Sequence, residues 1–166
     1  MTDIKPLTSD IKNIGISLGF QHVGIASPEV SLWNSRFQEW LKNGFEGEMT
    51  FLGRYPERRT NPSIVFPEVK SVVVVSMNYY PGGYHRGCLD NPARGYIANY
   101  ALNEDYHYVI KSKLRELLIL INAMTDGKAQ GRIYTDTGPV LEKALAARAG
   151  IGWMGKNSLI ISPDAG

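Results

Sequence analysis

The chain alternates between stretches where apolar residues recur at helical spacing and short runs where they are continuous. Ile11, Ile14 and Leu18 follow Thr8-Ser9-Asp10, whose side chains suit helix N-caps, so a helix is expected over 9–19, stopped near Gly19. Trp33, Phe37, Trp40 and Leu41 stand at i, i+4, i+7 and i+8 and predict an amphipathic helix ending at Asn43-Gly44. A third helix is expected over 104–125, with Glu104 and Asp105 at its positive end and Ile110, Leu114, Leu117, Leu118 and Ile121 as its core stripe. A fourth begins at Pro139 and runs to about Ala149, where Gly150 caps it.

Strand-like runs lie between the helices. His22–Ala26 reads as a short buried strand. The run 71–79, with Val72–Val75 continuous and β-branched, suits a central strand covered on both faces. Arg132–Thr135 and Ser158–Ser162 are two more. The segment 46–67 is irregular, and 81–103, opening on the turn Tyr80-Pro81-Gly82-Gly83, is a long loop of the kind that usually serves function. The order α-β-α-β-α-β-α-β predicts one α/β domain over 1–166, with α+β as the alternative: a central mixed sheet with helices packed on it. Strand order stays open.

Composition narrows the chemistry. The 166 residues are 43% hydrophobic and 20% charged, ordinary values for a globular protein. A net charge of +2 means that any nucleic-acid binding comes from a local patch, not from a bulk field. One cysteine, Cys88, excludes a disulfide framework or a thiolate cluster site within these residues and reads as a free thiol in a reducing compartment. The N-terminus lacks a signal-peptide core, and no apolar run is long enough to span a bilayer, so the expectation is a cytoplasmic protein with no membrane partner.

Two motifs carry chemistry. In Tyr134-Thr135-Asp136-Thr137-Gly138-Pro139-Val140-Leu141-Glu142-Lys143-Ala144, the expected strand delivers Asp136 to the sheet edge where open α/β sheets bind ligands. A plain helix cap is an equal reading of that aspartate. In Ala149-Gly150-Ile151-Gly152-Trp153-Met154-Gly155-Lys156-Asn157-Ser158, closely spaced glycines admit a bulky ligand to the backbone, and Lys156, Asn157 and Ser158 bring donors. The alternative is a C-cap at Gly150 followed by a turn, with Trp153 as a core anchor. A phosphate-binding Walker loop is excluded, because Asn157 holds the position its Ser or Thr would need.

Together the two motifs resemble the signature of epoxyqueuosine reductases. The resemblance extends through Gly47-Glu48-Met49, Arg59 to Pro62, Val72 to Tyr80, Gly95 to Ala101 and Asp105-Tyr106-His107, and so covers nearly the whole chain. It implies reduction of the epoxide of epoxyqueuosine to queuosine at the wobble position of tRNA, using cobalamin reduced through two [4Fe–4S] clusters. It also implies a cobalamin-binding fold similar to that of reductive dehalogenases.

Carried onto this sequence, Asp136 becomes the proton donor to the epoxide oxygen, and it must stay protonated near neutral pH to act so. Desolvation under the corrin face is the natural cause. Arg59, Met77, Asn78, Tyr79, Tyr100, Trp153, Lys156, Asn157 and Ser158 are expected to line the cobalamin. Arg94, Tyr96, Tyr106, His107 and Lys143 are expected to meet substrate or tRNA, with Arg54, Arg58, Arg86 and Lys111 near its backbone. Cys88 alone fits no cluster run, so the [4Fe–4S] clusters are expected only in a C-terminal ferredoxin-like region that this chain lacks. The expectation is therefore the N-terminal, truncated part of a monomeric oxidoreductase served by an external electron donor. A stand-alone corrinoid-binding protein, or part of a reductive-dehalogenase-like enzyme, is the alternative.

Overall fold

The computed structural model describes residues 4–80 and 91–164. Helix α1, Ile4–Ser17, starts earlier than its polar run predicts, because Pro6 falls in the first turn, where a missing N–H costs nothing. It ends where Gly19 turns left-handed (φ 90°). The N–H of Phe20 reaches back to Gly15 O (3.2 Å) and that of Gly19 to Ile16 O (2.9 Å), and Phe20 folds under the helix end, buried. The chain then enters β1, His22–Ala26. Helix α2, Ser31–Lys42, follows; after it comes a 3-10 turn, Thr50–Gly53, and two short helices each begun by a proline, α3 Pro56–Thr60 and α4 Pro62–Val65. Strand β2 is Val72–Ser76.

Beyond the described gap, a 3-10 turn at Asn99–Ala101 leads to the long helix α5, Tyr106–Met124, and a seven-residue helix α6, Glu142–Arg148. Strands β3, Trp153–Met154, and β4, Ile160–Ile161, close the chain. The turn expected at 81–83, together with Arg86 and Cys88, lies outside the described residues. Among the described residues, no helix is long and apolar enough to cross a membrane.

The expected central mixed sheet is corrected to two antiparallel ribbons among the described residues, β1 with β2 and β3 with β4. The α+β description is the one that fits. The valine run of β2 pairs with β1 alone and is half-buried along its length, not covered on both faces. The strand expected over 132–135 is absent. That stretch runs beside α5, where Asn122 Nδ2 donates to Ala129 O (2.5 Å), and Arg132 stands 5.9 Å over the Phe66 ring. Its alternating pattern suits a half-buried surface, and β-propensity measures that fit and not the presence of a partner strand. Trp153–Met154, expected as connection, is a strand instead.

Helix α6 joins these parts. Ala144, Leu145 and Ala146 are buried, and Ala144 and Leu145 form a core cluster with Val30, against which Trp33, Val72, Val74, Val140 and Leu141 pack. The same helix touches all four strands. It ends as α1 does: Gly150 is left-handed (φ 76°), Ile151 N–H returns to Ala146 O (3.0 Å), and the Ile151 side chain is buried. Gly150 is therefore the C-cap that the sequence suggested.

Close approach of α6 to the first ribbon depends on Gly24. A Cβ there would overlap the Ala149 carbonyl oxygen and stand 2.8 Å from the Ala149 Cβ. Gly24→Ala should lower unfolding stability by about 1–3 kcal/mol through overpacking, measured by urea denaturation. A wild-type midpoint would show that the contact is not tight.

Candidate functional site

The best-connected polar cluster is built on the first turn of α5. Asp105 is its N-cap, accepting from the His107 N–H (2.9 Å), which satisfies one of the donors that a helix start leaves unpaired. The same carboxylate oxygen lies 2.7 Å from His107 Nδ1. These two hydrogen bonds hold the Asp105 carboxyl below the usual carboxylate range. The His107 ring stacks on Tyr106, with centroids 4.2 Å apart, and Tyr100 meets Tyr106 edge-on at 6.1 Å.

Asp136 completes the cluster from the opposite side. It sits in a left-handed conformation (φ 57°), spanned by a hydrogen bond from Thr137 N–H to Thr135 O (2.6 Å). A turn closed over one residue with positive φ is rare, and Asp and Asn tolerate it best among side-chain-bearing residues. Its backbone N–H donates to Glu142 Oε1 (3.0 Å) at the start of α6. The Tyr106 hydroxyl donates to Asp136 Oδ2, and His107 Nε2 stands 4.0 Å from that oxygen. That hydrogen bond, with burial adding to it, pushes the Tyr106 hydroxyl up to about 12, so the phenol keeps its proton.

The Asp136 side chain is 56% exposed, so the described residues do not bury it. The helix expected to start at Pro139 begins three residues later. The left-handed turn at Asp136 and the packing of Gly138 against the Tyr134 ring (2.5 Å from a Cβ at Gly138) occupy the intervening chain.

Asp136, Tyr106, His107 and Tyr100 are thus brought together. The others lie on other segments of the chain. Trp153 (53% exposed) lies on β3, and Lys156, Asn157 and Ser158 are exposed in the hairpin turn, where Asn157 Oδ1 accepts from Leu159 N–H (3.1 Å) and Ser158 is left-handed (φ 64°). Met77, Asn78 and Tyr79 leave the end of β2; Asn78 Oδ1 accepts from Tyr80 N–H (2.8 Å). Arg94 and Tyr96 are exposed in the loop before α5, and Lys143 is exposed on α6. Arg59 lies on α3, with its Nε buried and without a partner among the described residues.

Three other buried polar atoms also have no partner among the described residues and precede expected site residues: Ser76 Oγ before Met77, Asn99 Oδ1 before Tyr100, and Thr135 Oγ1 before Asp136. Native proteins leave few such atoms unsatisfied, and ordered water or an ion is among the usual partners. Asp105 and Glu142 were not singled out as site residues. The signals were present: an aspartate two residues before a histidine at a helix start, and a glutamate one turn and a half beyond Asp136.

Comparison with known proteins places this geometry. The family model described as epoxyqueuosine reductase QueG, DUF1730, matches residues 59–137, which hold Arg59, Tyr106, His107 and Asp136. The epoxyqueuosine reductase of Pseudomonas aeruginosa is 38% identical over 96% of this chain and 44% of its own length, and that of Escherichia coli 37% over 99% and 43%. The chain thus spans less than half the length of these curated relatives.

Solved structures of epoxyqueuosine reductases share the fold. One, with selenomethionine, has a TM-score of 0.82 at 24% identity, covering 99% of this chain and 44% of its own. A second, with a tRNA-Tyr epoxyqueuosine-modified stem loop, scores 0.80 at 24%, covering 99% and 43%. A third, from Bacillus subtilis, is described with an aspartate-bearing catalytic loop swung out of the active site; it scores 0.72 at 24%, covering 97% and 42%. The resemblance to epoxyqueuosine reductases drawn from the motifs is borne out.

Glu142 offers a test of the site's construction. Burial, then the nearby Asp136 carboxylate, raise its carboxyl above the usual range. The folded state therefore favours the protonated form, and the stability it contributes is lost as pH rises from about 4.5 through the raised value. Glu142→Gln keeps an acceptor for the Asp136 N–H and should flatten that decline. Glu142→Ala, which loses the acceptor, should be less stable by about 1 kcal/mol. Denaturant melts at several pH values read both; an unchanged pH slope in Glu142→Gln would show that Glu142 does not titrate over this range.

Proposed function

We propose that this chain is the substrate- and cofactor-facing part of an epoxyqueuosine reductase, acting on epoxyqueuosine in tRNA with Asp136 as proton donor. The observation that carries the reading is the Asp136 carboxyl, held on a strained, exposed turn between Tyr106 and His107, inside the segment that matches the family model. Strained backbone clusters at functional sites, where surrounding structure holds it. Here Glu142 and Tyr106 do the holding.

Opening an epoxide leaves a poorly stabilised alkoxide unless its oxygen takes a proton as the bond breaks, which is the work of a positioned general acid. The Tyr106 hydroxyl, keeping its own proton, orients the carboxyl without competing for that role. Exposure of Asp136 in this chain leaves room for substrate on the face where water now has access, and a bound ligand would supply the desolvation that favours the protonated acid.

Cobalamin, when bound, supplies the reducing electrons. The residues present fit such a group: Tyr79, Tyr100 and Trp153 offer exposed aromatic faces, and Arg59 Nε and Asn99 Oδ1 are buried polar atoms with no partner among the described residues. A corrin, a broad apolar disc edged with amides, asks for that combination. Lys156, Asn157 and Ser158 would add donors from the hairpin, with Met77 and Asn78 beside Tyr79. The [4Fe–4S] clusters belong, on this reading, to residues outside the chain. For tRNA, Arg94, Tyr96 and Lys143 are exposed, and Arg58 stands 4.4 Å over the exposed Tyr55 ring, a pairing suited to backbone and base contacts.

In a full-length enzyme carrying these residues, Asp136→Asn tolerates the same left-handed turn and should keep cobalamin binding, seen in the absorption spectrum. Reduction of an epoxyqueuosine-bearing stem loop should fall by at least about 100-fold. Undiminished turnover would remove Asp136 from the mechanism, and corrinoid binding without turnover in the wild type would favour a carrier.

This chain mixed with cob(II)alamin should also perturb the cofactor's EPR spectrum. Weakening of that change in Arg59→Ala would support the assigned wall, and an unaltered spectrum with the wild type would count against cofactor binding by these residues.

A further inference from the structure

Reduction of an epoxide to an alkene consumes two electrons and two protons and releases the oxygen as water. A single carboxyl brings one proton, so Asp136 must be reloaded within each turnover. We propose that His107, pinned by Asp105, is the group that reloads Asp136; the inference rests on the function proposed above and adds the source of the second proton.

The two edges of the imidazole face different partners. Nδ1 lies 2.7 Å from the Asp105 carboxylate, which also caps the helix through the His107 N–H, so the proton on Nδ1 is held in place. Nε2 points to Asp136 Oδ2 at 4.0 Å, a gap that one bridging water or a rotation of the exposed Asp136 side chain closes. The ring is 30% exposed and can take protons from water.

In the step, the protonated imidazole gives its Nε2 proton to the Asp136 carboxylate. The N–H bond breaks, the O–H bond forms, no electron moves, and the neutral ring keeps its Nδ1–H on Asp105. Tyr106, the other donor at Asp136, holds its proton too firmly for this task. The groups around the ring are Asp105, Asp136, Tyr106, Glu142 from α6, and Lys111 one turn along α5. Asp105 faces its Nδ1 edge and Asp136 its Nε2 edge. Asp105 is then a positioning residue, acting through His107.

The test uses the full-length, cobalamin-loaded enzyme and an epoxyqueuosine stem loop, in single turnovers across pH. The wild-type rate should fall as pH rises through the histidine's titration. His107→Gln keeps the backbone N–H that Asp105 caps; it should be slower by about 100-fold and lack that limb. Asp105→Asn, which loses the carboxylate that holds Nδ1, should also slow the single turnover and alter that limb.

A second readout needs no turnover. The chain has three histidines, so ring 15N NMR can be assigned with His107→Gln. The wild-type ring should show the Nδ1–H tautomer, and Asp136→Asn should shift its titration. A wild-type rate and pH profile in His107→Gln, or a titration of His107 indifferent to Asp136, overturns the proposal. An inactive wild type would overturn the proposed function instead, while coupled titration of His107 and Asp136 would still uphold the pairing.

Discussion

Everything in this structure hangs on how closely a seven-residue helix can approach a two-stranded ribbon. Helix α6 presents Ala144, Leu145 and Ala146 inward, and its end rests against Gly24 of β1, where no side chain fits. Small residues on both sides let backbones meet directly, and Ala144 and Leu145 share one buried cluster with Val30, against which the β2 valines Val72 and Val74 pack. The buried apolar set of the described residues is short, so this contact carries a large share of the burial that holds the elements together. It also fixes the site, because the first residue of α6 is Glu142, which grips the backbone of Asp136. Core and chemistry share one helix.

Legibility in the sequence followed local strength. Helix α5 was plain, because nineteen residues of helical spacing with an aspartate cap leave little competition. The glycine ends at Gly19, Gly44 and Gly150 were plain for the same reason: each marks a left-handed stop. The strands His22–Ala26 and Ile160–Ile161 fall where expected, but how the strands pair depends on partners and was not legible. The valine run looked like a central strand, yet whether a strand is central is decided by its neighbours, and β2 has one among the described residues. Residues 132–135 had strand composition and no ladder. Trp153–Met154, the partner of Ile160–Ile161, is too short for any period to reveal.

The candidate site divides in the same way. Asp136 was legible through its motif, and His107 and Tyr106 were singled out as substrate-facing. Their mutual contacts were not, because thirty residues separate Tyr106 from Asp136 and no spacing rule spans that distance. Glu142 stayed invisible as a site residue because helix-start glutamates are ordinary; only the fold shows that its oxygen is spent on Asp136 and not on its own helix. The charge balance is also a property of the assembled fold. Asp105, Asp136 and Glu142 come from three segments, and their proximity is answered by one phenol, one imidazole and backbone N–H groups.

The Asp105 cap couples the helix end to the ring of His107. One oxygen atom serves both the amide and the ring nitrogen of His107, so helix geometry and imidazole orientation are not separate variables. When the first turn of α5 frays, as helix starts do long before a domain melts, the ring loses its anchor in the same event. Thermal loss of the site is therefore governed by a local opening with its own free energy, and amide exchange at His107 measures it directly. Heat would blunt this site from the helix end inward while α6 and its ribbons still stand.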